Sequence, residues 1–192
     1  PDGVYPEGPT YWQYGTAYQV MMIAAVQSAL GTDWGMMENP GLLASVDFIL
    51  HATGPSGQVF NFGDCGLRRE SQGPLFYLAA HRASEVPLGR ERAAVLERLS
   101  LGGKNDRLFP LVSLWWPAPP AASSPGMAYP THWVGRGACP VAFWRSAWED
   151  PTAFYVALKG GGGALNHADL DAGSFIWEDG GYRWASDLGI QN

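Results

Sequence analysis

One histidine and three carboxylates crowd the C-terminal part of the chain, where they could move protons or hold a metal. His167, Asp169 and Asp171 alternate along residues 166–175, and on an extended chain residues two apart point to the same side. Asp187 follows on the next stretch, after a tight turn. Such a cluster is either a catalytic base beside a metal site or a solvated strand end, and the spacing leaves both interpretations open.

Two motifs near opposite ends of the chain carry a more specific pattern. The first is YPEGPTYWQYGT at residues 5–16, and the second comprises THWVGRG at 131–137, RSAW at 145–148, KGG at 159–161, NHADLDAGSF at 166–175 and RWASDLG at 183–189. In this order and at this separation, the two motifs resemble the heparinase II/III-like polysaccharide lyases. That superfamily includes heparinase II, oligoalginate lyases and related uronate-cleaving enzymes. The resemblance covers nearly the whole chain and is weakest over residues 64–108.

The order of predicted elements favours an α+β fold. Apolar periodicity predicts helices first and alternating strands afterwards, without the mixing that a parallel α/β sheet requires. The last two strands are predicted to form a hairpin. The helices are expected over residues 11–30, 40–52, 74–83, 89–100 and 106–115, and the strands over residues 140–145, 153–159, 173–178 and 182–188.

The resemblance implies a division of this α+β chain into two incomplete domains. Residues 1–118 would form the C-terminal part of an (α/α) toroid, and residues 135–192 the start of an antiparallel β-sandwich. A stretch dense in Pro, Ala, Ser and Gly, residues 119–134, reads as the linker between them. In the family the active site lies at the junction of the two domains. We therefore expect a fragment of a larger enzyme that does not fold stably alone.

The family chemistry assigns a role to one residue at each end of the chain. A uronic acid polymer is cut by β-elimination when a base removes the C5 proton and an acid protonates the departing oxygen at C4. Tyr11 matches the catalytic tyrosine of the family, although Tyr14 and the other nearby aromatic residues make a core position a serious alternative. His167 matches the active-site histidine, and its role is either proton transfer or neutralisation of the substrate carboxylate, with Asn166 beside it.

Other residues are candidates for holding the acidic sugar units. His132 follows the linker and is interpreted as a cleft residue, with a structural role equally open. Arg136 and Arg145 could bind carboxylate or sulfate through bidentate contacts, and surface ion pairing is the alternative for both.

Whether the chain holds the family's structural zinc depends on one residue that departs from the family pattern. The family shows Asn-His-x-His-x-Asp, whose second His, a later Asp and a still later His bind a structural zinc. Here Asp169 replaces that second histidine, while Asp187 matches the later aspartate. Aspartate can ligate zinc, yet oxygen ligands shift the preference toward harder ions. The sequence thus leaves a structural zinc on Asp169 and Asp187 as an expectation that the substitution weakens.

Composition limits the function classes. The net charge of −6 argues against a nucleic-acid surface, and no apolar run reaches the length of a membrane span. The resemblance implies a periplasmic or secreted location, and a leader is expected either to have been removed or to lie upstream of residue 1. Cys65 and Cys139 could pair or stay free.

These observations predict a piece of a polysaccharide lyase, incomplete and inactive by itself. Its expected partner is an anionic polysaccharide or oligosaccharide such as alginate or a glycosaminoglycan, cleaved by β-elimination in carbohydrate degradation. The alternative is a non-catalytic glycan-binding or scaffolding protein of the same fold. A metal-dependent hydrolase has no suitably placed pair of carboxylates to support it.

Overall fold

Helices precede a single antiparallel sheet. The computed structural model describes residues 2–68, 72–82, 86–100, 107–117, 129–161, 164, 167 and 170–189. Within them the helices are α1 (Pro9–Leu30), a 3₁₀ turn (Met36–Glu38), α2 (Pro40–Ala52), α3 (Gly73–Ala80), α4 (Gly89–Ser100) and α5 (Pro110–Leu114). The strands are β1 (His132–Gly135), β2 (Val141–Arg145), β3 (Tyr155–Lys159), β4 (Phe175–Asp179) and β5 (Tyr182–Ala185), paired in the order β1-β2-β3-β4-β5. The α+β class is therefore established, while closure of the helices into a toroid stays a prediction.

The two long helices begin at prolines, which have no N–H to leave unpaired in a first turn. In α2 the Asn39 side chain accepts a hydrogen bond of 2.9 Å from the Gly41 N–H and so caps the helix. The α1 helix begins at Pro9, two residues before the predicted start, and ends where Gly31 adopts a left-handed conformation with φ of 72°. None of the described helices combines the length and apolar character that crossing a membrane requires.

Strand β1 is one that the sequence did not predict. It begins at His132, inside the stretch interpreted as linker, and pairs with β2 from His132↔Trp144 to Gly135↔Val141. Sequence reasoning missed it because the run is only four residues long and ends in glycine. That glycine is required by packing, since a Cβ at Gly135 would lie 2.0 Å from Cγ2 of Val4.

The main core lies between the inner face of the sheet and α2, which also packs on α1 and α3. Phe143, Tyr155 and Ile176 from the sheet are fully buried, as are Phe48 and Ile49 from α2. Burial of a large apolar side chain contributes about 1.5–3 kcal/mol to the stability of the fold. This apolar interface therefore holds the helices and the sheet together. It fixes the position of the loops that leave either layer.

The outer face of the sheet remains largely apolar and exposed. Its aromatic side chains are 39–69% exposed, although alternation along a strand normally places polar residues on the solvent face. The outward aromatic residues are Trp144, Phe175, Trp177, Tyr182 and Trp184.

Arg145 locks the sheet to the end of α2. Its guanidinium Nη2 donates hydrogen bonds of 3.3, 3.2 and 2.8 Å to the carbonyls of Leu50, His51 and Thr53. Leu50 and His51 lie in the last turn of α2, whose final carbonyls lack partners within the helix, and Thr53 follows the last helical residue. The guanidinium carbon also lies 3.7 Å from the centre of the Trp148 ring. Arg145 is 5% exposed, so this candidate for sugar binding is a structural residue.

Candidate active site at the junction of helices and sheet

Tyr11 and His167 meet where the start of α1 approaches the loop before β4. Their rings stack with centroids 4.1 Å apart and planes inclined by 20°. Tyr11 is half-buried in the first turn of α1, whereas the His167 side chain is 44% exposed. The two predicted proton-transfer residues therefore form one cluster that is open to solvent. Their catalytic roles stay predictions.

A short segment, residues 63–66, connects the start of α1 to the loop that carries His167, and we call it the bridging segment. Oδ2 of Asp64 lies 3.1 Å from Nδ1 of His167. The Asp64 main-chain N–H also donates to the His167 carbonyl at 3.2 Å. His167 has a left-handed φ of 55°, a conformation that costs a residue with a side chain about 1 kcal/mol. The contacts with Asp64 help to hold the backbone in this strained conformation.

The bridging segment is also fastened to the start of α1. The Gly66 N–H donates to Oγ1 of Thr10 at 3.2 Å, and Sγ of Cys65 donates to the Glu7 carbonyl at 3.4 Å. Gly8 allows this approach, since a Cβ there would lie 2.5 Å from the Cys65 sulfur and its φ is 87°. The start of α1, and Tyr11 with it, is therefore held against the segment that contacts His167.

On its other side the bridging segment is tied to the sheet through a buried ion pair. The Gly63 N–H donates to Oδ2 of Asp171 at 3.0 Å, and Oδ1 of the same carboxylate pairs with Nζ of Lys159. The Lys159 side chain is 2% exposed and that of Asp171 13%. Both His167 and Asp171 precede β4, which begins at Phe175, so a common face for the two residues would belong to the segment that leads into the strand.

The surroundings of Tyr11 keep its phenol protonated. Burial raises the pKa of Tyr11 above the ordinary value of 10.0, and the negative charge of Asp64 and the neighbouring Cys65 and Glu7 raise it further. A phenol in this environment can donate a proton at neutral pH. It would be a poor base unless a bound substrate brought compensating positive charge.

Asp187 is engaged in holding the chain after β5. Its Oδ2 accepts a hydrogen bond from the Ser174 hydroxyl and its Oδ1 one of 2.7 Å from the Gly189 N–H. The side-chain amide of Asn61 donates to its carbonyl at 3.1 Å. The residues that the structure describes include no group of three or more His, Cys, Asp or Glu able to hold a metal. Asp169 lies outside them, and the zinc site stays a prediction.

The remaining candidates for substrate contact lie elsewhere or outside the described residues. His132 is exposed at the first residue of β1, and Arg136 is exposed just after that strand. Within the described ranges, no hydrogen bond, ion pair or ring contact joins either residue to Tyr11 or His167. Asn166 lies outside those ranges. Both cysteines, Cys65 and Cys139, are buried and free.

Sequence reasoning missed Asp64, the third member of the cluster. Asp64 follows a loop of apolar and glycine residues far from both motifs, and nothing in its spacing relates it to a histidine more than one hundred residues later. The one available signal is the Gly-Asp-Cys-Gly run itself, which marks a turn.

Comparison with known proteins places this arrangement in a known fold. No protein-family model matches the chain, and a search of curated protein sequences finds no match. Among solved structures, heparan sulfate lyase HepC from Pedobacter heparinus is similar with a TM-score of 0.57, at 16% identity for a mutant form and 14% for another structure of the enzyme. A heparinase III is similar with a TM-score of 0.57 at 14% identity.

These matches cover 98% of this chain and 25–26% of the lyases. The chain thus spans about a quarter of the length of the solved structures it resembles. At this level of identity the likeness shows a shared fold. Its fold is that of one part of the heparan sulfate lyases.

Proposed function

We propose that this chain is part of a polysaccharide lyase that cleaves an acidic, uronate-containing glycan by β-elimination. The observation that carries the proposal is the stacking of Tyr11 on His167 at 4.1 Å, from helical and sheet portions that are distant in sequence. Stacking of the exposed imidazole on the half-buried phenol places two proton-transfer groups close enough to act on the same sugar ring. The fold shared with heparan sulfate lyases supports the same reaction class.

In this proposal Tyr11 is the acid. The raised pKa of Tyr11 keeps the proton on the phenol, as protonation of the departing glycosidic oxygen requires. Loss of a proton from C5 leaves an electron pair that forms the C4=C5 double bond while the C4–O bond breaks. The departing oxygen takes its proton from the phenol of Tyr11, so that no water is consumed and the new end of the chain is unsaturated.

His167 is the base in the same step. The imidazole of histidine is the side chain that most often transfers protons in enzymes. Its ring is more exposed than that of Tyr11. A base needs such exposure because one of its nitrogen atoms must reach the C5 proton. The negative charge that develops on the uronate carboxylate needs donors around it, and Asn166 is the proposed neighbour for that task.

The substrate class follows from the comparison and from the chemistry together. Structures described as heparan sulfate lyases make a glycosaminoglycan the first candidate, and alginate remains the second because it is also a uronate polymer. The reaction is tested by incubating the complete polypeptide with heparan sulfate, hyaluronan, chondroitin and alginate and following ultraviolet absorbance of the unsaturated product.

We expect product from at least one of these glycans, and loss of product in Tyr11→Phe and His167→Gln. Tyr14→Phe and His81→Gln are matched controls, since Tyr14 and His81 are exposed side chains outside the cluster. The controls should retain the wild-type rate. Binding of a glycan without unsaturated product from any of the four would reject the lyase and favour a non-catalytic glycan-binding protein.

A further inference from the structure

The contact between Asp64 and His167 determines which nitrogen of the imidazole is free. Oδ2 of Asp64 lies 3.1 Å from Nδ1 of His167, and the Asp64 side chain is 33% exposed, so its carboxylate is in contact with water. An ionised carboxylate accepts hydrogen bonds and cannot donate one. A hydrogen bond at this distance therefore requires the proton to be on Nδ1, which leaves the lone pair of the neutral ring on Nε2.

The backbone that carries this carboxylate is fixed on both sides. Gly63, the residue before it, is bound to Asp171 at 3.0 Å, and Gly66 is bound to Thr10 at 3.2 Å. Its own N–H bonds the carbonyl of His167. These three bonds hold the main chain around Asp64, so less conformational entropy is lost when its side chain orients a partner.

We propose that Asp64 is a positioning residue that holds His167 in the Nδ1-protonated form and directs Nε2 toward the bound substrate. The proposal deepens the proposed lyase function, on which it rests for the identity of the substrate. It makes Nε2 the atom that accepts the C5 proton. The carboxylate then stabilises the imidazolium that forms during the step, because the charge develops on a ring already bonded to it.

This assignment predicts a defined spectroscopic state. Histidine in water favours the Nε2-protonated form when no partner intervenes, so a neutral His167 protonated on Nδ1 reports the influence of Asp64. Imidazole ¹⁵N spectra of the complete polypeptide, labelled at histidine, distinguish the two forms, and the His167→Gln variant assigns the signal. We expect Nδ1-protonated His167 in the wild type and a population protonated on Nε2 in Asp64→Asn.

Kinetics provide the second measurement. We expect Asp64→Asn to lower kcat by roughly 10- to 100-fold with little change in KM, which is well below the roughly 10⁴-fold effect of a buried carboxylate behind a catalytic histidine. The smaller effect reflects the partial exposure of Asp64. Asp64→Glu, which keeps the charge, should recover part of kcat. Asp179→Asn, at an exposed strand end, should leave both the spectrum and kcat unchanged.

The outcomes separate this inference from the proposed function. A wild-type His167 protonated on Nε2 would overturn the positioning role without any variant, as would an Asp64→Asn enzyme that behaves like Asp179→Asn. If the spectra change as expected and no glycan gives unsaturated product, the positioning role stands and the lyase function fails.

Discussion

A buried histidine at the end of α2 should make the fold sensitive to mild acid. His51 is 1% exposed, and its Nδ1 has no hydrogen-bond partner within the described part of the chain. Burial, followed by the positive charge of Arg145 and the neighbouring His132, lowers the pKa of His51 from 6.5 to about 3. The folded state therefore keeps this ring neutral at pH values where the unfolded chain protonates it.

The sign and size of the effect follow from this difference. The stability from a neutral His51 is fully present above pH 6.5 and is lost progressively as the pH falls toward about 3. Each pH unit inside that window costs about 1.36 kcal/mol. At pH 5 the loss amounts to about 2 kcal/mol, and the value hardly depends on the folded pKa because that pKa lies far below 5.

The substitution His51→Gln isolates this pH-dependent contribution to stability, because it removes the titrating group. Urea unfolding of the complete polypeptide, followed by tryptophan fluorescence, should be measured at pH 7 and pH 5. We expect the wild-type free energy of unfolding to fall by about 2 kcal/mol more than that of His51→Gln over this interval. His81→Gln, which changes an exposed histidine, should follow the wild type. Equal losses in wild type and His51→Gln would show that His51 does not cause the acid sensitivity.

Four further predictions concern the remaining contacts. Arg145→Lys removes the forked donor from the last carbonyls of α2 and should lower the free energy of unfolding by about 2 kcal/mol, as a urea titration would reveal; an unchanged midpoint would show that the carbonyls find other donors. Asp171→Asn leaves the buried Lys159 charge unpaired and should cost about 3–5 kcal/mol, whereas adding Lys159→Met should restore most of that loss. Because the pKa of Tyr11 is raised above 10.0 and the acid must be protonated, the alkaline decrease of kcat/KM should begin only above about pH 10, and an alkaline decrease centred below that value would contradict the role. Trp184, 65% exposed on the outer face of the sheet, should promote self-association, so Trp184→Thr should reduce the light scattering of the complete polypeptide.

Much of the fold could be predicted from local signals. The bounds of α2 are as predicted, because Asn39 and Pro40 mark its start and the run from Thr53 to Pro55 its end. Strand β1 was missed because four residues ending in glycine do not establish an alternation. Edge pairing with β2 provides the missing hydrogen bonds, and such tertiary pairing is absent from any local pattern.

The candidate site likewise contains residues that could be predicted from the sequence and residues that could not. Tyr11 and His167 could be chosen because each belongs to a recognisable motif, and their contact depends on the fold. Asp64 belongs to no motif, and its relation to His167 arises only when the bridging segment is fastened to α1 and to Asp171. Arg145 looked like a surface cation in the sequence. Its interior position depends on helix carbonyls that no spacing rule connects to it.

A comparison of two phenols on one helix tests most directly whether Tyr11 transfers a proton in the reaction. Tyr11 stacks on His167, whereas Tyr14, one turn further along α1, is 60% exposed and contacts Tyr18. The measurement is the initial rate of unsaturated product from the glycan that the complete polypeptide cleaves fastest. We expect Tyr11→Phe to lose at least about 100-fold in rate and Tyr14→Phe to keep the wild-type rate. A Tyr11→Phe enzyme as active as the wild type would contradict this role of Tyr11.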